Sequence, residues 1–246
     1  MKIISIETSG PVCAVALSDN DTIVSEYSSS DGNPHDAYCA EYVRKVLEDN
    51  SLGIENIDAV AISSGPGSFT GLRIGASIAK ALCFKESDED YAPKLISVPT
   101  LSAFANNVAF CHSERSEESI SKIIAVIPAQ KDVLYYQEFT IHHTELVEGQ
   151  KKLGSRLSVL GYRFKEGEIN ICNIEDFKKF DFKDTLVCGP ASYIINPEPA
   201  LPSLNEYSAE KIAKLAIKKY KLVEFTDPND FKPIYVQDFV VKTKKK

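Results

Sequence analysis

The chain has 246 residues, enough for one large domain or two modest ones with their own cores. Hydrophobic residues make up 43% and charged residues 26%, an ordinary balance for a globular protein, and no apolar run approaches the length of a membrane span. Lys plus Arg number 28 against 35 Asp plus Glu, a net charge of −7 that is poorly suited to gripping a nucleic-acid backbone alone.

The first ten residues, MKIISIETSG, carry one lysine and a short apolar run closed by Glu7, which is not the pattern of a secretory signal. KIISIE reads as a strand, VCAVALS as a second and TIVSEYS as a third, joined by tight polar turns into an antiparallel meander. SDGNP breaks the chain. HDAYCAEYVRKVLEDN then has helical periodicity, with Tyr38, Tyr42 and Val46 spaced four apart and Val43 and Leu47 widening the stripe. IDAVAIS is a fourth strand, apolar enough to be buried on both faces. KLISVPT is a fifth, and TLSAFANNVAF a following helix with Thr100 as its expected N-cap. CHSERSEES, residues 111–119, reads as a surface loop or insertion.

About 120 residues after the start, KIIAVIP echoes KIISIE, and DVLYYQEF follows it as VCAVALS followed the first strand. This pattern predicts a duplicated α/β fold, with a first lobe over 1–110 and a second over 111–246. The second half reads as more irregular. TLVCGP is a buried strand ending in a turn, and SAEKIAKLAIKKY a helix capped by Ser208. DFKPIYVQDFVVK is extended and proline-interrupted, able to cover an edge or to pack back on the first lobe. The tail VVKTKKK is basic and reads as a solvated terminus. The six cysteines, at 13, 39, 83, 111, 172 and 188, make no CxxC pair and no zinc spacing, so reduced thiols in a cytoplasmic protein are expected.

GPGSFTGLRIG, residues 65–75, sits between the fourth strand and a helix, where phosphate loops sit. It fits none of the usual patterns. Gly65, Gly67 and Gly71 are spaced one residue too long for G-x-G-x-x-G, and Gly71 is followed by Leu72 and Arg73 rather than by the Lys and hydroxyl of a P-loop. Ser68 directly follows a glycine, which is not the nucleophile-elbow spacing. In the helix itself, Gly71, Gly75 and Ala79 share one face, and each internal glycine costs on the order of 1 kcal/mol relative to alanine. Two explanations stand on spacing alone: close packing against the chain's own sheet, or close approach of a partner helix.

KIISIETSGPVCAVAL, GPGSFTGLRIG, SVPTLSAFA and KPIYVQD together resemble the TsaB (YeaZ) family, bacterial proteins needed to make threonylcarbamoyladenosine in tRNA. The resemblance spans most of the chain in order and is weakest over about 141–205. It implies an actin/hexokinase-like (ASKHA) fold of two lobes, each a mixed sheet with helices, and a non-catalytic subunit without cofactor or metal of its own. ATP and metal would belong to the partner subunits, a TsaD-like catalytic subunit and a TsaE-like ATPase. Contact with tRNA would come only through the complex, with no membrane involved, and the chain alone would form a homodimer. The sequence is consistent with that role, because His35, His112, His142 and His143 make neither an H-x-x-x-H nor an H-E-x-x-H pair. The family contact maps to Tyr38 and Tyr42 on the first helix and to Gly71, Arg73, Ile74, Gly75, Ser77 and Ile78 on the second. Glu7, Thr8 and Ser9 read either as a vestigial phosphate turn or as a polar strand end. Pro128 is taken as the second-lobe counterpart of Glu7, where nucleotide hydrolases of the superfamily keep an acid. The alternatives are a glycoprotease-like metallopeptidase, a sugar- or acetate-kinase-like enzyme, and a homodimeric module with no link to tRNA.

Overall fold

The structure, a computed structural model, describes residues 1–29, 35–87, 90–112, 121–143, 162–195 and 204–236. The basic tail and most of the 111–119 stretch lie outside them; Cys111 and His112 form the end of a helix rather than a loop.

The first sheet contains β1 (Lys2–Glu7), β2 (Cys13–Asp19), β3 (Thr22–Ser29), β4 (Ala59–Ser63) and β5 (Lys94–Val98), in the order β3-β2-β1-β4-β5. The meander pairs antiparallel, while β4 and β5 join parallel to β1. β4 is buried at every position, as expected of a central strand covered on both faces. The second sheet contains β6 (Lys122–Gln130), β7 (Val133–His143), β8 (Tyr162–Asn173) and β9 (Thr185–Cys188), in the order β8-β7-β6-β9. Its pairing repeats the first: β6-β7 and β7-β8 antiparallel, β6-β9 parallel. The duplicated actin/hexokinase-like architecture is therefore explicit, with a strand matching β5 missing from the second sheet among the described residues.

Strand alternation sorts the core into layers. Ile4 and Ile6 of β1, with Val15, Leu17, Val60 and Ile62, face α1 (His35–Asp49) and α2 (Phe69–Leu82). On the opposite face, Ile3, Ala59, Ala61, Ile96 and Val98 pack against α3 (Thr100–His112) and a C-terminal helix. α3 serves both sheets: its Ala103 joins that layer, while Leu101, Phe104, Ala105 and Val108 pack on Ile123, Ala125 and Ile127 of β6. The far face of the second sheet is closed by α4 (Ile174–Phe177) and by Phe177, Phe180 and Phe182 around Tyr136.

Three local expectations change. The strand β8 occupies a stretch read as irregular. It is an edge strand whose KEGEIN run is mostly exposed, so it carries little apolar alternation. Thr100 opens α3, but its Oγ1 has no partner among the described residues, so it does not cap. The C-terminal helix α5 (Ala209–Lys221) lies within 111–246 yet rests on the first sheet, with Ile212, Ala216 and Ile217 in that core. Ser208 does cap it, its Oγ accepting the Lys211 N–H at 3.4 Å, and Glu26 of β3 accepts the Ala209 N–H at 3.0 Å.

Candidate functional site

The junction between the sheets is organised by the turn that leaves β1. Alternation places Glu7 on the face that carries Ile3, toward α3 and α5. Its side chain is 2% exposed. The Ser9 N–H and the Ser9 hydroxyl both donate to Glu7 Oε1, at 2.5 and 2.6 Å. Ser63, at the end of β4, accepts the Thr8 N–H at 3.1 Å through Oγ and also hydrogen-bonds the Glu7 carboxylate. Burial outweighs these donors and pushes the Glu7 carboxyl up from 4.5 to about 7. Lys211 of α5 contributes a weaker opposing attraction. Its Nζ is committed elsewhere, donating to the Glu206 carbonyl at 2.5 Å and lying 5.6 Å from the centre of the Phe104 ring, and burial pulls its own pKa down.

Over this turn sits Tyr207, in the segment that leads into α5. A Cβ on Gly10 would fall 2.6 Å from Tyr207 Cζ, so only glycine permits this contact. The ring is also edge-on to Phe104 of α3, with centroids 5.4 Å apart. Burial raises the Tyr207 hydroxyl pKa, and the nearby Glu7 adds to the shift. Tyr207 carries no motif and stands 197 residues from Gly10, so no sequence signal marks it.

The GPGSFTGLRIG loop closes the turn from the other side. The Ser68 N–H donates to the Ser9 carbonyl at 2.7 Å, and Ser68 Oγ accepts the Gly71 N–H at 3.2 Å to cap α2. Gly65 adopts φ +100, and its carbonyl accepts the Thr100 N–H at 2.8 Å. Residues 232–236, the described part of the stretch read as KPIYVQD, return to the same loop: the Ile234 N–H donates to the Ser64 carbonyl at 2.7 Å, and Tyr235 meets Phe69 at 5.1 Å. Phe231 enters the first core and Val236 packs against the second. The Ser64 and Gly65 carbonyls and the Ser68 N–H are thus spent holding strands, helices and the C-terminal strap together.

Two sequence expectations need correction. The small-residue face of α2 turns inward. Gly71, Leu72, Gly75, Ala76 and Ala79 are buried, and a Cβ on Gly75 would come within 2.7 Å of Ile62 Cδ1 and closer still to Thr8 Oγ1. Tyr42 is likewise in the core, ring-stacked with Tyr27 and tilted against Tyr38. The remaining mapped positions divide differently: Arg73 and Ser77 are exposed, while Tyr38, Ile74 and Ile78 are half-buried at the rim of the core. The second correction concerns Pro128, which is exposed. On β6 the inner face carries Ile123, Ala125 and Ile127, as Ile3, Ser5 and Glu7 lie on β1, so the counterpart of Glu7 is Ile127. Among the described residues, no cluster of three or more His, Cys, Asp or Glu side chains has the arrangement of a metal site, and no helix is long and apolar enough to cross a membrane.

The fold and this junction define a member of the actin/hexokinase-like class whose two lobes differ in their acids. A family model described as TsaD, tRNA N6-adenosine threonylcarbamoyltransferase, matches residues 23–226, and the chain belongs to that family. Within it, the resemblance to the TsaB (YeaZ) proteins is borne out. The tRNA threonylcarbamoyladenosine biosynthesis protein TsaB of Escherichia coli strain K12 is 26% identical over 151 residues, 61% of this chain and 60% of its own length. The TsaB of Buchnera aphidicola subsp. Baizongia pistaciae is 27% identical over 138 residues, 56% of this chain and 58% of its own. The chain thus spans less than two thirds of the length of the curated relatives it matches. A solved structure of YeaZ from Pseudomonas aeruginosa superposes with a TM-score of 0.68 at 20% identity, covering 96% of this chain and 99% of that one, which shows the shared fold.

Proposed function

We propose that this chain is a non-catalytic subunit in the formation of threonylcarbamoyladenosine in tRNA. In this reading it binds a TsaD-like catalytic subunit and helps recruit a TsaE-like ATPase. ATP and metal belong to those partners, and tRNA is reached only through the complex. One observation carries the non-catalytic part: Ile127 stands on the inner face of β6 where Glu7 stands on β1. Members of this superfamily that hydrolyse nucleotide manage Mg²⁺ with an acid at this strand position in each lobe, and an aliphatic side chain cannot ligate a hard cation.

The surface offered to the partner is the outward side of α1 and α2. Arg73 and Ser77 are its exposed centre, with Tyr38, Ile74 and Ile78 at its border. Gly71, Gly75 and Tyr42 support it from beneath rather than touching the partner. The same surface would serve a homodimer when the chain is alone.

Reconstitution tests this directly. Modification of an ANN-decoding tRNA by TsaD-like and TsaE-like subunits should require this chain, and the chain alone should produce none. Full activity without it would overturn the scaffold reading. Metal-dependent peptide hydrolysis by the purified chain, abolished by a chelator, would favour the peptidase alternative.

A further inference from the structure

We propose that the Tyr207 ring is an internal occupant of the nucleotide cleft that this fold implies, a wedge that keeps the β1 turn closed to phosphate and ties the segment leading into α5 to both halves of the fold. The residues present do not fit a nucleotide. A phosphate-binding turn needs backbone N–H groups directed at open space and glycine positions that let an anion come close. In this turn the Thr8 N–H is taken by Ser63 and the Ser9 N–H by Glu7, at 3.1 and 2.5 Å. The open side of Gly10, where an anion would approach, is filled by an aromatic ring within 2.6 Å of the missing Cβ position. Beneath the ring is a buried carboxyl, which would repel an anion whenever it is ionised.

The wedge also couples the two halves. Tyr207 contacts the first-lobe turn through Gly10 and packs on the second core through Phe104. Its neighbour Asn205 accepts the Gly189 N–H at 3.1 Å, at the end of β9. One short segment therefore touches the ends of β1 and β9, the two strand ends that flank the cleft. In a cleft-closing enzyme of this architecture these elements part and meet around a ligand; a side chain in that place holds them in one arrangement. The inference rests on the fold alone and stands independently of the tRNA reading.

Amide hydrogen exchange on the full chain tests it, comparing wild type, Tyr207→Phe, Tyr207→Ala and Tyr207→Leu, each with and without millimolar Mg²⁺-ATP. Tyr207→Phe should match wild type, because the ring and not the hydroxyl fills the space. Tyr207→Ala and Tyr207→Leu should speed exchange at Thr8, Ser9 and Ser68 by about tenfold or more, with β7 and β8 unchanged, as a local opening requires. Mg²⁺-ATP should leave the wild-type pattern unaltered. Protection of the wild-type turn by Mg²⁺-ATP would overturn the proposal, as would unchanged exchange in both truncated variants. A uniform rise across both sheets in Tyr207→Leu would make the ring ordinary core and would overturn it too. Should Tyr207→Ala fail to fold, the leucine variant and the wild-type nucleotide measurement still decide the matter.

Discussion

Glu7→Gln should stabilise the protein at neutral and alkaline pH. In the folded chain, burial pushes the Glu7 carboxyl from 4.5 up to about 7, against the opposing pull of Ser9, Ser63 and Lys211. The folded state therefore holds this proton more tightly than the unfolded state does. Stability from this group is fully present below pH 4.5 and is lost as pH rises through 7, because between these values the unfolded chain releases a proton that the folded chain still holds. A shift of roughly 2.5 units corresponds to about 3 kcal/mol. Glutamine keeps the shape without the charge: its Oε1 can still accept both Ser9 donors, and its amide can donate to Ser63 Oγ. Net of imperfect amide geometry, Glu7→Gln should exceed wild type by about 1–3 kcal/mol at pH 8, and the two should converge near pH 5. Denaturant titrations at pH 5, 6, 7 and 8 read this directly. Taking the difference between the two proteins removes the contribution of the histidines, which titrate in the same range. A constant deficit of the glutamine variant at every pH would refute the reasoning, since it would mean that Glu7 is held as a carboxylate by its donors and by Lys211.

Gly75→Leu should cost about 1–3 kcal/mol or more, despite better helix propensity, because the side chain would enter the space of Thr8 and Ile62; thermal melting measures it, and an unchanged midpoint would contradict the inward packing. Tyr42→Ala should cost about 3 kcal/mol, read by denaturant unfolding, through loss of a buried ring packed on Tyr27 and Tyr38. Ser77→Arg should leave stability within about 0.5 kcal/mol, since Ser77 is exposed and its hydroxyl donates back to the Arg73 carbonyl at 2.9 Å. Its association with a TsaD-like subunit should weaken at least about tenfold in titration calorimetry, and unaltered affinity would move the contact off the outer side of α2.

The strands of the first sheet were legible because each is a short apolar run bounded by turn residues, and the duplication was legible because β1 and β6 open on the same K-I-I. Aligned on K-I-I, the same echo sets Ile127 against Glu7, but the first non-aliphatic residue after the run is one position later. Counting from the apolar run selects Pro128, whereas the face that each side chain occupies selects Ile127. Helical spacing grouped Gly71, Gly75 and Ala79 correctly but left open which way that face points. Leu72 and Ala76 beside them supply the missing signal, since an apolar stripe that includes the glycines belongs on the sheet. β8 was hidden for the opposite reason, because a charged edge strand avoids the pattern that announces strands. Tyr207 could not be found at all from local pattern, as its role depends on a contact with Gly10 across most of the chain.

The division of α2 into two sides explains why the glycine-rich loop that opens it is built so tightly. Its inner side is committed to β1 and β4 through Gly75, which lets the helix lie closer to the sheet than any larger residue would allow. Its N-terminus is fixed three ways: by the Ser68 cap, by the Ser68–Ser9 hydrogen bond and by the strap at Ile234 and Tyr235. A helix held along its inner side and at its start has little freedom left to lose on association. The backbone at Arg73 and Ser77 is then held in place, so in the proposed association only their side chains remain to be ordered. The filled turn at Glu7 and Gly10 works in the same direction, because a cleft that neither opens nor closes leaves the outer side of the first lobe in one arrangement. Rigidity at the junction and availability on α2 are in this sense two consequences of one packing arrangement around the end of β1.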